Sequence, residues 1–227
     1  MVLTKREVRM IWSFMVGATL SETIAAAFMF RPAGSWLNAL WNFASRPPGT
    51  TSAWMLAVLV LGAYLIRSAA RSPVIRAYAF SPARWHPFLG MRLFALPMAA
   101  VTGFFEEAFF RKWVMDWAQQ EGAGIVMQVL WSAILFGIVH AIWVVFSGKF
   151  RAAGAIVVTT GALGGLLAIV YLLGGRSIGP CIAVHIGLNL FLEPWMVISS
   201  ATQSWGKPAL RDGQNGTTAA WIQGLRK

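Results

Sequence analysis

Charged side chains are scarce in this sequence. Only 12% of its 227 residues are Asp, Glu, Lys or Arg, whereas 57% are hydrophobic. A soluble domain usually carries about 25% charged residues, so the composition excludes an ordinary soluble globular protein. The sequence instead indicates an integral membrane protein, and its twelve tryptophans suit a chain that is anchored at two membrane–water interfaces.

Residues that several protease classes require are also missing. The single cysteine, Cys181, excludes an intrachain disulfide and a Cys-based metal cluster. The two aspartates, Asp116 and Asp212, lie near the end of an apolar segment and in the polar C-terminal region, so no aspartyl pair is available within a membrane. The patterns H-E-x-x-H and G-x-S-x-G are absent, which excludes a zinc-binding protease helix and a serine nucleophile turn.

The charge that is present is mostly positive, with 19 Lys and Arg against 8 Asp and Glu. These basic residues lie between apolar segments rather than in one block, so we expect no nucleic-acid partner. They fit the excess of positive charge on the cytoplasmic side of membrane proteins. Most of them fall on one side of the membrane when both termini are cytoplasmic, and the sequence predicts that orientation.

Long apolar segments recur along the chain, and each is long enough to cross about 30 Å of hydrocarbon. The sequence therefore predicts an all-α polytopic bundle of about six transmembrane helices. Pro97 is expected to separate a short interfacial helix, residues 88–97, from the third span. The predicted spans are residues 10–30, 53–70, 98–119, 125–146, 152–173 and 178–200.

Three regions follow from this pattern. Residues 1–97 hold two spans, a basic loop and the interfacial helix, and residues 98–200 form the predicted catalytic core. Residues 201–227 form a polar cytoplasmic tail. In the fifth span, Gly161 and Gly165 are four apart, and such small-residue pairs let transmembrane helices approach closely.

Three charges lie together in the third span, at Glu106, Glu107 and Arg111. Each costs about 2.5–3.5 kcal/mol at the centre of a membrane helix. Glu107 and Arg111 are four apart and share a helix face, so the sequence predicts an ion pair between them. Glu106 points about 100° away and remains as a free carboxylate.

Three polar residues on other spans can meet this carboxylate. His140 lies in the fourth span, and His185 and Asn189 share one face of the sixth. At 1.5 Å per residue, Glu106 and His140 lie about 12 and 9 Å from the inner ends of their spans. His185 and Asn189 lie about 17–22 Å from theirs, so the sequence predicts one site within the membrane.

Two further glutamates in the spans have no role assigned by the sequence. Glu22 lies in the first span without an obvious partner, and Glu193 continues the His185–Asn189 stripe.

These residue types suit hydrolysis of a peptide bond without a covalent intermediate. A carboxylate beside an imidazole can hold and deprotonate a water molecule, while an amide and a second imidazole can stabilise an oxyanion. Intramembrane Glu and His also serve proton relays, so a proton-coupled carrier or a non-catalytic immunity or scaffold protein remains an alternative. A relay has no need of the Asn189 amide. A third alternative is a zinc-dependent protease that uses the same residues.

The polar residues fall into three motifs in order along the chain. E-E-x-x-x-R occurs at Glu106–Arg111, F-x-x-x-H at Phe136–His140, and H-x-x-x-N at His185–Asn189. In these motifs the sequence resembles the CAAX protease and bacteriocin-processing family, which includes the type II CAAX prenyl endopeptidases. The resemblance covers roughly residues 98–200.

The resemblance implies a glutamic intramembrane endopeptidase that acts on a membrane-associated protein or peptide. It implies no cofactor, with zinc disfavoured because the residues themselves supply a base and an oxyanion donor. The short loops suggest a compact prokaryotic membrane protein, whose substrates would be leader peptides or membrane-anchored sorting segments. The implied roles are water activation by Glu106 and His140, orientation of the neighbouring histidine by Glu107 paired with Arg111, and an oxyanion hole of His185 and Asn189.

Overall fold

A computed structural model of the chain describes residues 4–30, 48–71, 75, 89–148 and 150–201. Most of residues 31–52 and 71–87, which connect predicted helices, and nearly all of the predicted tail 201–227 lie outside the described residues. The described part is helical and contains no strand. Its α-helices are α1 Lys5–Phe30, α2 Thr51–Arg71, α3 Leu89–Glu107, α4 Asp116–Gln120, α5 Ile125–Val139, α6 Ile142–Ser147, α7 Ala153–Leu173 and α8 Gly179–Ala201.

A π-helix, Ala108–Met115, joins α3 to α4 without a break. Together they form one segment, Gly90–Gln120, of 31 residues. It is among 6 segments in the described chain that are long and apolar enough to cross a membrane. The prediction of an all-α, six-span bundle is confirmed, and the chain is an integral multi-pass membrane protein.

The predicted break at Pro97 is wrong. Helix α3 continues through Pro97 without interruption, so residues 89–97 are its first turns rather than a separate interfacial helix. Proline removes one backbone hydrogen bond, but packing against neighbouring helices tolerates it within membrane proteins. Ala95 and Met98, on either side of Pro97, are buried in an apolar cluster with residues of α1 and α8, and this packing holds the helix together.

A second proline, Pro194, lies within α8, and a side chain from α3 replaces the backbone hydrogen bond that it removes. Because proline has no N–H, the carbonyl of Leu190 loses its usual helical partner. Nη1 of Arg92 donates a hydrogen bond to this carbonyl at 3.1 Å, and the guanidinium lies 5.0 Å from the ring centroid of Trp195. Arg92, predicted to be interfacial, is half-buried between helices and ties α3 to α8.

The predicted close approach through small residues joins α5 and α7. A Cβ on Gly161 would lie 3.1 Å from the carbonyl oxygen of Ala133, and one on Gly137 would lie 2.6 Å from that of Val157. A Cβ on Gly165 would contact the Cβ of Ala133 at 3.5 Å. Side chains at Gly137 or Gly161 would force the two backbones apart, so glycine fixes the end of α5 that carries the predicted site histidine.

Candidate active site

The carboxylate of Glu106 faces two imidazoles from different helices. Its Oε2 atom lies 3.7 Å from Nε2 of His140, at the end of α5, and 3.7 Å from Nε2 of His185, on α8. The structure thus brings together three of the residues that the sequence assigned to one site. Only 12% of the Glu106 side chain is exposed, so these contacts lie in a largely water-excluded environment where electrostatic interactions are strong.

Glu107 joins Arg111 to His185. The predicted ion pair is present, with Nε of Arg111 3.0 Å from Oε2 of Glu107 and both side chains fully buried. The other carboxylate oxygen, Oε1, lies 2.8 Å from Nδ1 of His185. An ionised carboxylate only accepts hydrogen bonds, so Nδ1–H of His185 donates a hydrogen bond to Glu107. The ring is thereby held with Nε2 towards Glu106.

Arg111 is fixed from two further directions. It donates a hydrogen bond to the carbonyl oxygen of Gly164 on α7 at 3.3 Å, and its guanidinium lies 5.0 Å from the ring centroid of Phe136. Arg111 itself lies in the π-helix that begins directly after Glu107. Single-turn π segments within α-helices frequently occur at functional sites.

The F-x-x-x-H spacing places Phe136 one helical turn before His140, where it contacts the imidazole. Nδ1 of His140 lies 2.8 Å from the carbonyl oxygen of Phe136, one turn earlier. A carbonyl only accepts hydrogen bonds, so Nδ1 carries the proton, and in the neutral ring Nε2 is an acceptor. The Phe136 ring stacks on the imidazole with centroids 4.3 Å apart. Both contacts aim Nε2 of His140 at Glu106.

When the His140 ring is neutral and Glu106 is ionised, the two groups present acceptors to each other. Their 3.7 Å separation is longer than a hydrogen bond. The carboxylate Oε2 has no hydrogen-bond partner among the described residues. A water molecule, which donates two hydrogen bonds, matches such a pair and keeps its oxygen lone pairs free for reaction.

These groups open into a cavity of about 830 Å³ between the spanning helices. Ligand pockets typically measure about 300–1,000 Å³, so a segment of peptide fits within it. Glu106, His140, His185 and Asn189 all line this cavity. Glu107 and Arg111 are buried behind it.

The structure adds residues that the sequence did not place in the site. Glu22 and Glu193 line the same cavity, and so does Thr102. The Thr102 hydroxyl donates a hydrogen bond to Oε2 of Glu22 at 2.5 Å. Thr102 precedes Glu106 by one helical turn and shares its face of α3. This spacing is the feature of the sequence that could have identified Thr102 as a site residue.

The sequence left a zinc centre built from the same residues as an alternative. Across the described ranges, no group of three His, Cys, Asp or Glu side chains is arranged to hold a metal ion. The Nδ1 atom of His185 is hydrogen-bonded to Glu107, and that of His140 is hydrogen-bonded to the Phe136 carbonyl.

Residues 88–191 match the family model for type II CAAX prenyl endopeptidases, Rce1-like. The matched region contains all three motifs, from Glu106–Arg111 to His185–Asn189. Neither the curated proteins nor the solved structures include a match to the chain.

Proposed function

Because residues 88–191 form an Rce1-like domain of the CAAX protease type, we propose that this chain is an intramembrane endopeptidase. It hydrolyses a peptide bond of a membrane-associated protein or peptide, using a water activated by Glu106 and His140. The observation that carries the proposal is the Glu106 carboxylate, 3.7 Å from two fixed imidazoles in a cavity between spanning helices.

The proposed reaction begins with water bound between Glu106 and His140. Glu106 takes one proton from the water as its oxygen attacks the carbonyl carbon of the peptide bond. The π electrons of the C=O bond move to the carbonyl oxygen, which becomes an oxyanion. The oxyanion then re-forms the C=O bond as the C–N bond breaks, and the proton held on Glu106 passes to the leaving amine, so no covalent bond to the enzyme forms.

Asn189 is the neutral donor for the oxyanion. It lies one helical turn from His185 and lines the same cavity as Glu106. Nδ1–H of His185 is committed to Glu107, so Nε2 of that ring donates only when a second proton is present. The Asn189 amide needs no such proton.

Replacing Asn189 by Ala should lower kcat by about 10²–10³, as expected for the loss of one oxyanion donor. KM should change little, because the interaction forms mainly in the transition state. Steady-state kinetics on the purified protein measures both constants. Asn189→Asp, similar in size but without the amide donor, should show a comparable loss. Unchanged kcat in both variants would rule out Asn189 as the oxyanion donor.

We expect the reaction to proceed without a metal. Protein purified without stoichiometric zinc should keep its activity in the presence of a strong chelator, because Glu106 supplies the base directly. The measurements are metal content by mass spectrometry and activity before and after chelation. One zinc per chain, with activity lost on chelation and restored by zinc, would establish the zinc-dependent alternative instead.

The proposed orientation places both termini in the cytoplasm. Reporter fusions at the C-terminus and within residues 31–52 should therefore report opposite sides of the membrane, because one predicted span precedes that loop and five follow it. Fusions that report the same side would contradict the orientation. In this arrangement, leader peptides and membrane-anchored sorting segments are the substrates that we propose.

A further inference from the structure

The cavity contains two carboxylates that the proposed hydrolysis does not use. Glu22 from α1 and Glu193 from α8 both line it, together with Glu106. Three carboxylates therefore share one membrane-embedded space.

The two extra carboxylates lie on the same side of Glu106. Gly103 of α3 packs against His185 and Ile186 of α8, whereas Arg92, earlier in α3, reaches Leu190, later in α8. The two helices are therefore antiparallel. Thr102, the partner of Glu22, lies before Glu106 in α3, and Glu193 lies after His185 in α8. Because the helices are antiparallel, both displacements point in the same direction in space.

Neither carboxylate forms an ion pair with any of the residues that the structure describes. Glu193 is only 9% exposed, and its Oε2 atom has no hydrogen-bond partner in the part of the chain that the structure describes. In that same part, no ion pair joins Glu22 or Glu193 to any residue, including Arg67 and Arg71, which line the cavity as well. Buried carboxylates are stabilised when they are paired, so the geometry leaves room for a cation that the described residues do not supply.

We propose that Glu22 and Glu193 form a subsite for a basic side chain of the substrate, Lys or Arg. The proposal rests on the proposed function for the peptide nature of the ligand. Glu193 lies four residues beyond Asn189, about 6 Å along α8, and an extended peptide advances about 3.3 Å per residue. The basic residue would thus lie within a few residues of the bond that is cleaved, and Glu22 and Glu193 would determine specificity.

Binding of peptides that cannot be hydrolysed tests this subsite. The probes are leucine-rich hexapeptides with N-methylated backbones that carry Lys, norleucine or Glu at one position. The full-length protein is held in lipid nanodiscs, and the change in its tryptophan fluorescence, to which Trp143 and Trp195 of the cavity contribute, reports binding. The Lys probe should bind about tenfold more tightly than the norleucine probe, as expected for charge-assisted hydrogen bonds.

Variants that replace one carboxylate by a carboxamide show whether Glu22 and Glu193 cause the preference for Lys. Glu193→Gln and Glu22→Gln should each bring the Lys-to-norleucine ratio of Kd values close to one. Glu121→Gln, which changes an exposed carboxylate outside the cavity, should leave the ratio at its wild-type value. Thermal unfolding of each variant confirms that it is folded before titration.

Equal binding of the Lys and norleucine probes to the wild-type protein would overturn the proposal, as would a preference that survives both variants. The Glu probe gives an independent check on the unmodified protein, where it should bind more weakly than norleucine. Glu-probe binding at least as tight as norleucine binding would also count against the subsite. Because these measurements do not depend on cleavage, a Lys preference in a protein without peptidase activity would refute the proposed function and retain the subsite.

Discussion

Glu106→Gln should lower kcat by about 10²–10⁴, the typical contribution of a general base. The substitution keeps the size of the side chain and much of its hydrogen-bonding capacity, but an amide cannot take a proton from water. The loss should be larger if the variant also displaces the water between Glu106 and His140. Folding and KM should stay near their wild-type values, because Glu106 forms no ion pair with an arginine or lysine in the described structure.

Two controls separate this result from a general effect of charge. Glu121→Gln removes an exposed carboxylate in the turn after α4 and should leave kcat unchanged. The melting temperature of Glu106→Gln, measured in the same detergent or lipid, should match that of the wild-type protein. A Glu106→Gln protein with wild-type kcat would rule out Glu106 as the base.

Arg111→Ala should lower the free energy of unfolding by about 3–5 kcal/mol, the usual cost of removing one partner of a buried ion pair. Glu107 would remain fully buried without its cation, and the space between Phe136 and Gly164 would lose the guanidinium that fills it. Activity should fall as well, because Glu107 would no longer be held in position to orient His185. The amount of folded protein and its thermal unfolding measure the effect.

Comparison with neighbouring variants shows whether the ion pair is responsible. The double variant Glu107→Gln/Arg111→Met leaves no unpaired charge, so it should be more stable than Arg111→Ala but still inactive. Lys112→Ala removes the partner of Asp116 in a partly exposed pair and should cost at most about 1 kcal/mol. A fully folded, active Arg111→Ala protein would contradict the structural role of the pair.

Helical periodicity alone predicted the local part of the site. A separation of four residues placed Glu107 beside Arg111, and the same separation placed His185 and Asn189 on one face of α8. Both follow from the geometry of a single helix, so no knowledge of neighbouring helices was needed. The six spans were predictable for a similar reason, because each depends only on the length and hydrophobicity of its own segment.

Contacts between helices were not predictable in the same way. Thr102 bonds to Glu22, which is 80 residues away, and only the packing of α1 on α3 reveals it. Arg92 resembled an interfacial cation because its nearest neighbours in sequence are apolar, yet its acceptor is a carbonyl 98 residues away. The propensity of proline to end helices was overridden at Pro97 by tertiary packing.

The most direct measurement is a comparison of the membrane peptides from cells that produce the wild-type protein and cells that produce Glu106→Gln in equal amounts. Intramembrane hydrolysis that depends on Glu106 predicts peptides with new termini, derived from membrane-associated proteins, in the wild-type cells alone. Their uncleaved precursors should accumulate with the variant. Identical sets of termini in the two samples would contradict the assignment of this chain as a peptidase that uses Glu106.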